Sequence, residues 1–461
     1  MLNVMNRYVP GRVFVLLVME NTLITLGIVL AAVATAHIHG QILTQGSELL
    51  LHGWAISAIF QISFYYFDLY DLRALTSKWA LMGRLMSAVG AACVAIAVVV
   101  AVFPPVRLGI GVMEVTSLCM ALIILLGRMS LEWVNRWMTA GERILLVGSG
   151  SMAVALAREI RLRTDLPLRL LGVVSEPESE ESIPNLRQLG TLEDLDAIIR
   201  EQAPRRIVIA LGLSRPGMPL DVLLRARAQG VKVEEAATLF EKLTGRIPVE
   251  TISPSTLIYA NGFSTQSQLS RAITRVTSAA VALIGIVLTS PLMLLTALFI
   301  RLESKGPVLY SQERVGKDGR GFCIHKFRSM RMDAEVYGAQ WAGEDDPRIT
   351  RVGRIIRRLR IDELPQFINI LRGEMNLVGP RPERPYFVQL LAGKIPYYDL
   401  RHAVPPGVTG WAQVSYPYGA TVEDAKNKLE YDLFYVKNAS TALDLAILFE
   451  TVRTVVLGKG R

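Results

Sequence analysis

Four long apolar segments occupy the first part of the chain and constrain its fold more than any other feature. Each is close to the roughly 20 residues that an α-helix needs to cross a bilayer. Hydrophobic residues make up 51% of the 461 residues, which is typical of a membrane protein with substantial soluble parts. The sequence therefore predicts a four-helix transmembrane bundle within residues 1–140. The segments are residues 12–36, 49–67, 80–103 and 108–127.

Basic residues alternate between the loops and predict the orientation of this bundle. The loop 37–48 contains no Lys or Arg, whereas the next loop contains Arg73, Lys78 and Arg84. The positive-inside rule then places the N-terminus and everything after residue 128 in the cytoplasm. The first segment is too long, and is followed too soon by the second, to be a cleaved signal peptide.

A fifth apolar stretch, residues 276–300, differs from the first four because basic residues flank both of its ends. Pro291 interrupts it and removes one helix hydrogen bond, and the hydroxyl of Ser290 can satisfy the freed backbone group. These features favour a re-entrant helix, residues 271–300, that dips into the inner leaflet and returns. A kinked transmembrane helix is the alternative, and it would carry the downstream domain across the membrane. The flanking residues are Arg271, Arg275, Arg301 and Lys305.

Between the membrane segments, residues 141–262 alternate between strand and helix patterns and predict a Rossmann-like α/β domain. A buried-strand pattern leads into residues 148–153 (GSGSMA), which match the G-x-G-x-x-A form of a dinucleotide-binding turn. Gly148 and Gly150 are therefore candidate nucleotide-binding residues. Such turns also occur in domains that only scaffold, so both interpretations stay open for this domain.

Two adjacent carboxylates, Asp362 and Glu363, follow an arginine-rich helical pattern and precede a second predicted helix. Pro365 suits the start of that second helix and Gly373 suits its end. Asp362 is then expected near a helix N-terminus, where backbone N–H groups favour its own negative charge and that of a phosphate. An ionised carboxylate beside cations suits nucleophilic attack on phosphorus. Helix capping by Asp362 is the competing interpretation.

Basic residues around these carboxylates are candidate phosphate contacts. Residues 321–330 form the second strand of a predicted hairpin, and its period of two places Lys326 and Arg328 on one face as a diphosphate clamp or a solvated basic edge. Residues 349–359 form a basic amphipathic helix, which suits an anionic membrane surface or the core of its own domain. Arg381, between two prolines, suits a fixed phosphate contact. The net charge of +9 indicates an anionic partner, and the three distant cysteines predict neither a metal site nor a disulfide framework.

Together these motifs resemble the bacterial sugar transferase family, the monotopic polyprenyl-phosphate phosphoglycosyl transferases. The layout is similar to the large members with four N-terminal spans and an α/β domain, and residues 416–419 most resemble the exosortase-associated exopolysaccharide subgroup. Residues 263–461 correspond to an α+β catalytic domain that includes the re-entrant helix. The motifs are Ser290-Pro291, residues 326–330 (KFRSM), 362–366 (DELPQ), 379–383 (GPRPE) and 409–414 (TGWAQV).

The resemblance implies a reaction and a set of residue roles. Asp362 would attack the β-phosphorus of a UDP-sugar and expel UMP, and undecaprenyl phosphate would then attack the covalent intermediate to give undecaprenyl-diphospho-sugar. Glu363 would bind Mg²⁺, which neutralises developing phosphate charge. The expected phosphate contacts are Lys326, Arg328, Arg357 and Arg381.

The resemblance also implies a place in the cell and partners. A bacterial inner membrane location is expected, with the active site on the cytoplasmic face, at the first membrane step of exopolysaccharide or O-antigen assembly. The expected partners are a UDP-sugar, undecaprenyl phosphate and the lipid bilayer, with no nucleic acid, and homo-oligomer formation stays open. The competing function is a non-catalytic membrane scaffold or nucleotide sensor, which would not need two carboxylates set among cations. A polytopic sugar-phosphate transferase would need a third acid beside Asp345 and Asp346.

Overall fold

A computed structural model of the protein contains two compact units, Met1–Glu234 and Glu235–Arg461. Each unit has its own buried cluster of apolar side chains. The structure describes residues 17–18, 20–27, 29, 46–70, 78–102, 141–163, 166, 168–175, 186–211, 218–250, 268–334, 346–417, 419 and 421–456.

The first unit begins with a group of packed helices. Helix α1 (Gly46–Tyr66) and helix α2 (Lys78–Val102) lie side by side, and the hydroxyl of Ser63 donates to the carbonyl of Ala88 across 2.6 Å. Small side chains such as Ala88 let two apolar helices approach closely. Residues 20–27 are also helical, whereas the fourth predicted span, 108–127, lies outside the described residues.

Length and composition identify two candidate membrane helices among the described residues. They are Met82–Ala101 and the later helix Gln268–Glu303. These helices support a membrane protein, while the complete four-helix bundle stays a prediction.

The predicted α/β fold is confirmed in the rest of the first unit. Five strands form one sheet in the order β3-β2-β1-β4-β5, and β1 pairs in parallel with both β2 and β4. This order places the switch of direction between β1 and β4, as in doubly wound sheets. The strands are β1 (Glu142–Val147), β2 (Leu168–Val174), β3 (Gln188–Gly190), β4 (Arg206–Ile209) and β5 (Lys232–Glu235), and the helices are α3 (Ser151–Leu162), α4 (Leu195–Gln202) and α5 (Leu220–Ala228).

The glycine turn after β1 has one glycine that the backbone requires and one that it does not. Gly148 has a φ of +108°, and a Cβ atom there would lie 2.6 Å from Cγ of Leu211. Gly150 precedes helix α3, and a Cβ atom there would meet nothing within 4 Å among the described residues. Nucleotide binding by this turn stays a prediction.

Helix α6 (Ala236–Thr244) belongs to the second unit although the sequence grouped it with the α/β domain. The carboxylate of Glu241 accepts hydrogen bonds from Lys437 and Asn438, and the indole N–H of Trp411 donates to the carbonyl of Gly245. These contacts fasten the start of the second unit to its C-terminal helices. The predicted domain boundary at residues 262 and 263 lies outside the described residues.

The 36-residue helix α7 (Gln268–Glu303) contains Pro291 and continues through it. Proline removes the hydrogen bond to the carbonyl four residues earlier, which is that of Val287. The hydroxyl of Ser290 donates to this same carbonyl at 2.8 Å, as the sequence suggested. Large apolar side chains such as Leu288 and Leu294 are exposed along the helix, which suits a lipid environment.

Both ends of α7 contact the same unit. Near its start, Arg275 donates to the carbonyls of Ile370 and Leu371. At its end, the carboxylate of Glu303 accepts from the backbone N–H groups of Arg351 and Val352. Positions 275 and 303 of a straight helix would lie about 42 Å apart, which is more than the thickness of the hydrocarbon core. A straight helix that crossed the membrane would therefore place these two positions on opposite sides of it.

The remaining elements of the second unit surround the start of a short helix that follows Pro365. Strands β6 and β7 form the predicted antiparallel hairpin, with Tyr310 opposite Lys326, and β8 pairs in parallel with β9. The strands are β6 (Leu309–Val315), β7 (Gly321–Phe327), β8 (Asn376–Val378) and β9 (Gly407–Thr409), and the helices are α8 (Arg351–Arg358), α9 (Gln366–Arg372), α10 (Pro385–Ala392), α11 (Trp411–Ser415), α12 (Val422–Asn438) and α13 (Thr441–Val456).

Candidate active site

Asp362 and Glu363 lie in a short 3₁₀ turn, Ile361–Glu363, between helices α8 and α9. Arg360 has a left-handed backbone with a φ of +58°, which ends α8 and starts this turn. Pro365 directly precedes α9, and Gly373 ends it with a φ of +89°, as predicted. Because α9 has seven residues and Asp362 lies outside it, the helix macrodipole stabilises the negative charge of Asp362 less than the sequence pattern predicts.

Cationic side chains from separate segments converge on Glu363. Its Oε1 atom lies 2.9 Å from Nη2 of Arg381, 3.2 Å from Nζ of Lys326 and 3.8 Å from Nη1 of Arg360. The Glu363 side chain is 10% exposed to solvent. A buried carboxylate is stable when it is paired and hydrogen-bonded in this way.

These charges separate the pKa values of the two carboxyl groups. Burial acts to raise the pKa of Glu363, but Arg381, Lys326 and Arg360 outweigh it and hold that pKa well below its usual range. Burial and the negative charge of Glu363 raise the pKa of Asp362 to about 6, against the opposing effect of Lys326 and other cations. Such divergence is typical of carboxylates with different roles.

The ionised state of Asp362 is therefore available near neutral pH. Its side chain is buried, with 8% exposure, and Lys326, Arg357 and Arg360 lower its pKa by their charges. A desolvated carboxylate among cations can attack an electrophile that brings its own negative charge. The charge of Arg357 thus acts on Asp362, and its role as a phosphate contact stays a prediction.

A buried ion pair holds the segment that carries Arg381. The guanidinium of Arg401 donates to Asp432 at 2.7 Å, to the hydroxyl of Tyr398 at 2.6 Å and to the backbone carbonyl of Arg381 at 3.0 Å. The N–H of Gly379 donates to the carbonyl of Thr409 at 2.9 Å. These bonds fix the backbone from which Arg381 reaches Glu363.

Asn369 connects helix α9 to the hairpin. Its side chain is fully buried, accepts from the N–H of His325 at 3.1 Å and donates to the carbonyl of Cys323 at 2.7 Å. Lys326 follows His325 directly in strand β7. This amide therefore holds Lys326 in position relative to the turn that carries Glu363.

Arg328 has different partners from Lys326, so the predicted diphosphate clamp does not form as a pair. Its guanidinium donates to the carbonyls of Ser304 and Lys305 and to the hydroxyl of Ser304, at 2.8–2.9 Å. Strand β7 ends at Phe327, so the alternation of faces does not extend to Arg328. Arg328 instead fastens the end of helix α7 to the hairpin, and its role as a phosphate contact stays a prediction.

The core-packing interpretation of helix α8 is confirmed for one side of the helix, and contact with an anionic membrane surface stays a prediction. Ile356 is buried and packs with Ile300 and Phe327, while Ile355 and Leu359 are 60% and 56% exposed. The helix is thus fixed to the core on one side and presents apolar side chains on another.

Two family models match parts of this chain. The family model for bacterial sugar transferases matches residues 269–458, and that for a CoA-binding domain matches residues 65–237. A UDP-glucose:undecaprenyl-phosphate glucose-1-phosphate transferase of Xanthomonas campestris pv. campestris is 31% identical over 341 residues, which cover 70% of this chain and 69% of that protein. The chain belongs to the bacterial sugar transferase family.

Two further relatives in the family show different sugars in their names. A UDP-N-acetylgalactosamine-undecaprenyl-phosphate N-acetylgalactosaminephosphotransferase of Aeromonas hydrophila is 46% identical over 52% of this chain and 55% of its own length. An undecaprenyl-phosphate glucose phosphotransferase of Komagataeibacter xylinus is 35% identical over 69% of this chain and 60% of its own length. The chain thus spans less than two thirds of either protein.

Three further residues of this bacterial sugar transferase, not predicted from the sequence, adjoin Lys326, Arg381 or Glu363. Arg314 and Gln366 line a small cavity together with Lys326 and Arg381, and Arg360 pairs with Glu363. The hairpin register offered a signal for one of them, because Tyr310 opposite Lys326 places every second residue of β6, including Arg314, on the face of Lys326. For Arg360, whose backbone is left-handed, no sequence pattern indicated the pairing with Glu363.

The donor set of the transferase suits Mg²⁺ only when a substrate supplies further oxygen atoms. No group of three or more His, Cys, Asp or Glu side chains that could hold a metal occurs among the described residues. The three ion pairs of Glu363 all use Oε1, which leaves Oε2 outside them. Because Mg²⁺ is commonly held by one or two carboxylates plus substrate phosphates, Glu363 fits this ion.

Proposed function

We propose that this protein transfers a sugar 1-phosphate from a UDP-sugar to undecaprenyl phosphate, with release of UMP, through a covalent aspartyl intermediate. The reaction would begin the assembly of a repeat unit for exopolysaccharide or O-antigen. The names of its relatives support the class of substrates, and the family membership supports the class of reaction.

The observation that carries this proposal is the unequal environment of two adjacent buried carboxylates. Glu363 is held ionised by Arg381, Lys326 and Arg360, whereas Asp362 has a pKa raised to about 6 and is ionised at neutral pH. One carboxylate thus organises the cations and the other is available to react. A helix cap or a scaffold would not need this separation.

In the first step, a carboxylate oxygen of Asp362 attacks the β-phosphorus of the UDP-sugar. The new O–P bond forms as the bond from this phosphorus to the bridging oxygen breaks, and UMP leaves with the electron pair. Lys326 and Arg381 neutralise phosphate charge, and they are held in position by Asn369 and Arg401 respectively.

In the second step, a phosphate oxygen of undecaprenyl phosphate attacks the same phosphorus. The bond to Asp362 breaks, the carboxylate is regenerated and undecaprenyl-diphospho-sugar is formed. Two displacements at one phosphorus make the reaction ping-pong, so that UMP is released before the lipid reacts.

Glu363 would hold Mg²⁺ together with the phosphates of the nucleotide. The bound ion would supply charge neutralisation to the transferring phosphoryl group. Arg357, whose charge acts on Asp362, is the further proposed phosphate contact in this chain.

We also propose that α7 enters the membrane from the cytoplasmic face of the bacterial inner membrane and returns to it. Contacts of Arg275 and Glu303 with the same unit support this placement, because a spanning helix would separate them by the bilayer. The N-terminal bundle then makes the protein multi-pass. Cysteine labelling in intact cells just before residue 271 and just after 305 tests this: periplasmic labelling at one site alone would contradict it.

A UMP-release assay on the purified full chain tests the proposed activity. The protein is incubated with undecaprenyl phosphate, Mg²⁺ and, in separate reactions, UDP-glucose, UDP-galactose, UDP-N-acetylglucosamine and UDP-N-acetylgalactosamine. We expect UMP release and a lipid-linked product with at least one of them. Absence of UMP with all four, in a protein that is folded, would favour the scaffold or nucleotide-sensor function.

A further inference from the structure

Arg314 lies on strand β6 and only part of its guanidinium has protein partners. Nη1 donates to the carbonyl of Pro382 at 3.0 Å, and Nη2 donates to Oε1 of Gln312 at 2.7 Å. Nε is buried and has no hydrogen-bond acceptor among the described residues. A buried N–H group without a partner is costly and indicates an acceptor that the protein itself does not provide.

The surroundings of Arg314 indicate what this acceptor is. Arg314, Lys326, Gln366 and Arg381 line a cavity of about 10 Å³, which has room for roughly one oxygen atom. Two of these residues are the cations that pair with Glu363. The cavity therefore adjoins the cations of the proposed reaction site, although Asp362 and Glu363 do not themselves line it.

The charges at this cavity favour an anion. Lys326, Arg314 and Arg381 line it and repel one another. Glu363 pairs with Lys326 and Arg381, and Oε2 of Glu383 lies 3.6 Å from Nη1 of Arg314. An additional anionic oxygen would relieve this repulsion and satisfy the Nε–H group.

We propose that Arg314 is a further substrate-binding residue, whose Nε–H donates to a non-bridging phosphate oxygen placed between Lys326 and Arg381. This inference rests on the proposed function. The phosphate is supplied either by the UDP-sugar or by undecaprenyl phosphate. The bond to Pro382 sets the orientation of the guanidinium, so that Arg314 also connects strand β6 to the segment that carries Arg381.

Substitutions at Arg314 separate the Nε–H group from the rest of the side chain. Arg314→Lys keeps the positive charge and can reach the carbonyl of Pro382, but places a methylene where Nε lies. Arg314→Gln and Arg314→Met are both neutral and similar in size, and only Gln has an N–H donor at the position of Nε. Arg320→Lys, on the exposed turn of the same hairpin, is the matched control.

The ping-pong scheme allows each phosphate source to be measured separately. The first arm measures UMP release in a single turnover over a range of UDP-sugar concentrations without lipid. The second arm varies undecaprenyl phosphate at saturating UDP-sugar. In one of the arms we expect Arg314→Lys to raise the half-saturating concentration about tenfold or more, since a hydrogen bond to a charged group is lost. Arg314→Gln should bind about fivefold more tightly than Arg314→Met in that arm, because only Gln donates.

Three results would overturn the inference. One is an Arg314→Lys variant that saturates like Arg320→Lys in both arms. Another is equal half-saturating concentrations for Arg314→Gln and Arg314→Met in both arms. This result overturns the inference even if Arg314→Lys does not fold. The last is faster hydrogen exchange at residues 379–384 in Arg314→Lys, which would show that Arg314 acts through the loop. Failure of the proposed function is distinguishable, because the wild type itself would then release no UMP.

Discussion

Two helices of this protein follow short turns that the sequence marks as anion-binding, and their surroundings differ. The turn at Gly148 precedes helix α3, and its described neighbours include the backbone of Val174 and the side chain of Leu211. The turn at Asp362 precedes helix α9, where Lys326 and Arg381 approach from other segments.

A backbone turn alone provides fewer groups than a reaction needs. A glycine turn before a helix offers N–H groups to a phosphate wherever the pattern occurs. At the Asp362 turn, side chains distant in sequence also provide charge and burial, and Asp362 itself is the proposed reactive group. We therefore expect substitutions at Asp362 and Glu363 to change chemistry, and those at Gly148 to change stability.

The largest expected effect is that of Asp362→Asn, which keeps the shape and removes the nucleophile. UMP release should fall by at least about a thousandfold, as in enzymes that lose their nucleophile. With sugar-labelled UDP-sugar and no lipid, the wild type should retain label on the peptide that contains Asp362, and the variant should not.

Asp318→Asn is the control for this variant, because Asp318 is exposed and its left-handed backbone tolerates Asn. The melting temperature of Asp362→Asn should not fall, since the variant buries no charge at that position. Turnover by Asp362→Asn at a rate near that of the control would show that Asp362 is only a helix cap.

Glu363→Gln is expected to lower kcat by about a hundredfold, because the variant would hold Mg²⁺ less well at the transferring phosphoryl group and the cations lose their common partner. The negative charge of Glu363 contributes to the raised pKa of Asp362. The acid limb of the residual activity should therefore move to lower pH. A limb that stays in place in a pH series would contradict the coupling of the two carboxylates.

The pH dependence of the wild type provides the next effect. Asp362 must be ionised to attack, and burial and Glu363 raise its pKa to about 6. Single-turnover UMP release should be constant above pH 7 and should fall about tenfold per unit below pH 6, since the ionised fraction falls by that factor. A profile that stays flat down to pH 4.5 would remove Asp362 from the nucleophile role.

The smallest effect on activity is expected at the other turn. Gly148→Ala introduces a side chain at a φ of +108° and 2.6 Å from Leu211, and should destabilise the first unit by about 1–3 kcal/mol. Gly150→Ala, where a Cβ atom meets nothing within 4 Å in the described part of the chain, is the matched control.

UMP release by both glycine variants should stay within about twofold of the wild type, because this turn takes no part in the proposed steps. Hydrogen exchange of strand Glu142–Val147 would measure the destabilisation of the first unit. A large loss of UMP release in a folded Gly148→Ala variant would show that the α/β unit contributes to the reaction and would end the distinction between the two turns.

Local patterns in the sequence were sufficient to predict the α/β fold, the hairpin of β6 and β7, and the turn and short helix after Glu363. These features depend on hydrophobic period, glycine and proline, which act over a few residues. The same patterns also predicted that the hydroxyl of Ser290 would satisfy the carbonyl freed by Pro291, since both groups lie within one helical turn. The family membership followed from ordered motifs in the sequence and is confirmed by comparison.

Only the tertiary structure decided which charged groups meet. Lys326 and Arg328 are two positions apart, yet the strand ends between them, and Arg328 contacts the end of α7 while Lys326 contacts Glu363. Arg381 reaches Glu363 because Arg401 and Asp432, distant in sequence, hold its backbone. Burial and Coulomb energies depend on distances between segments, and no local period in the sequence specifies those distances.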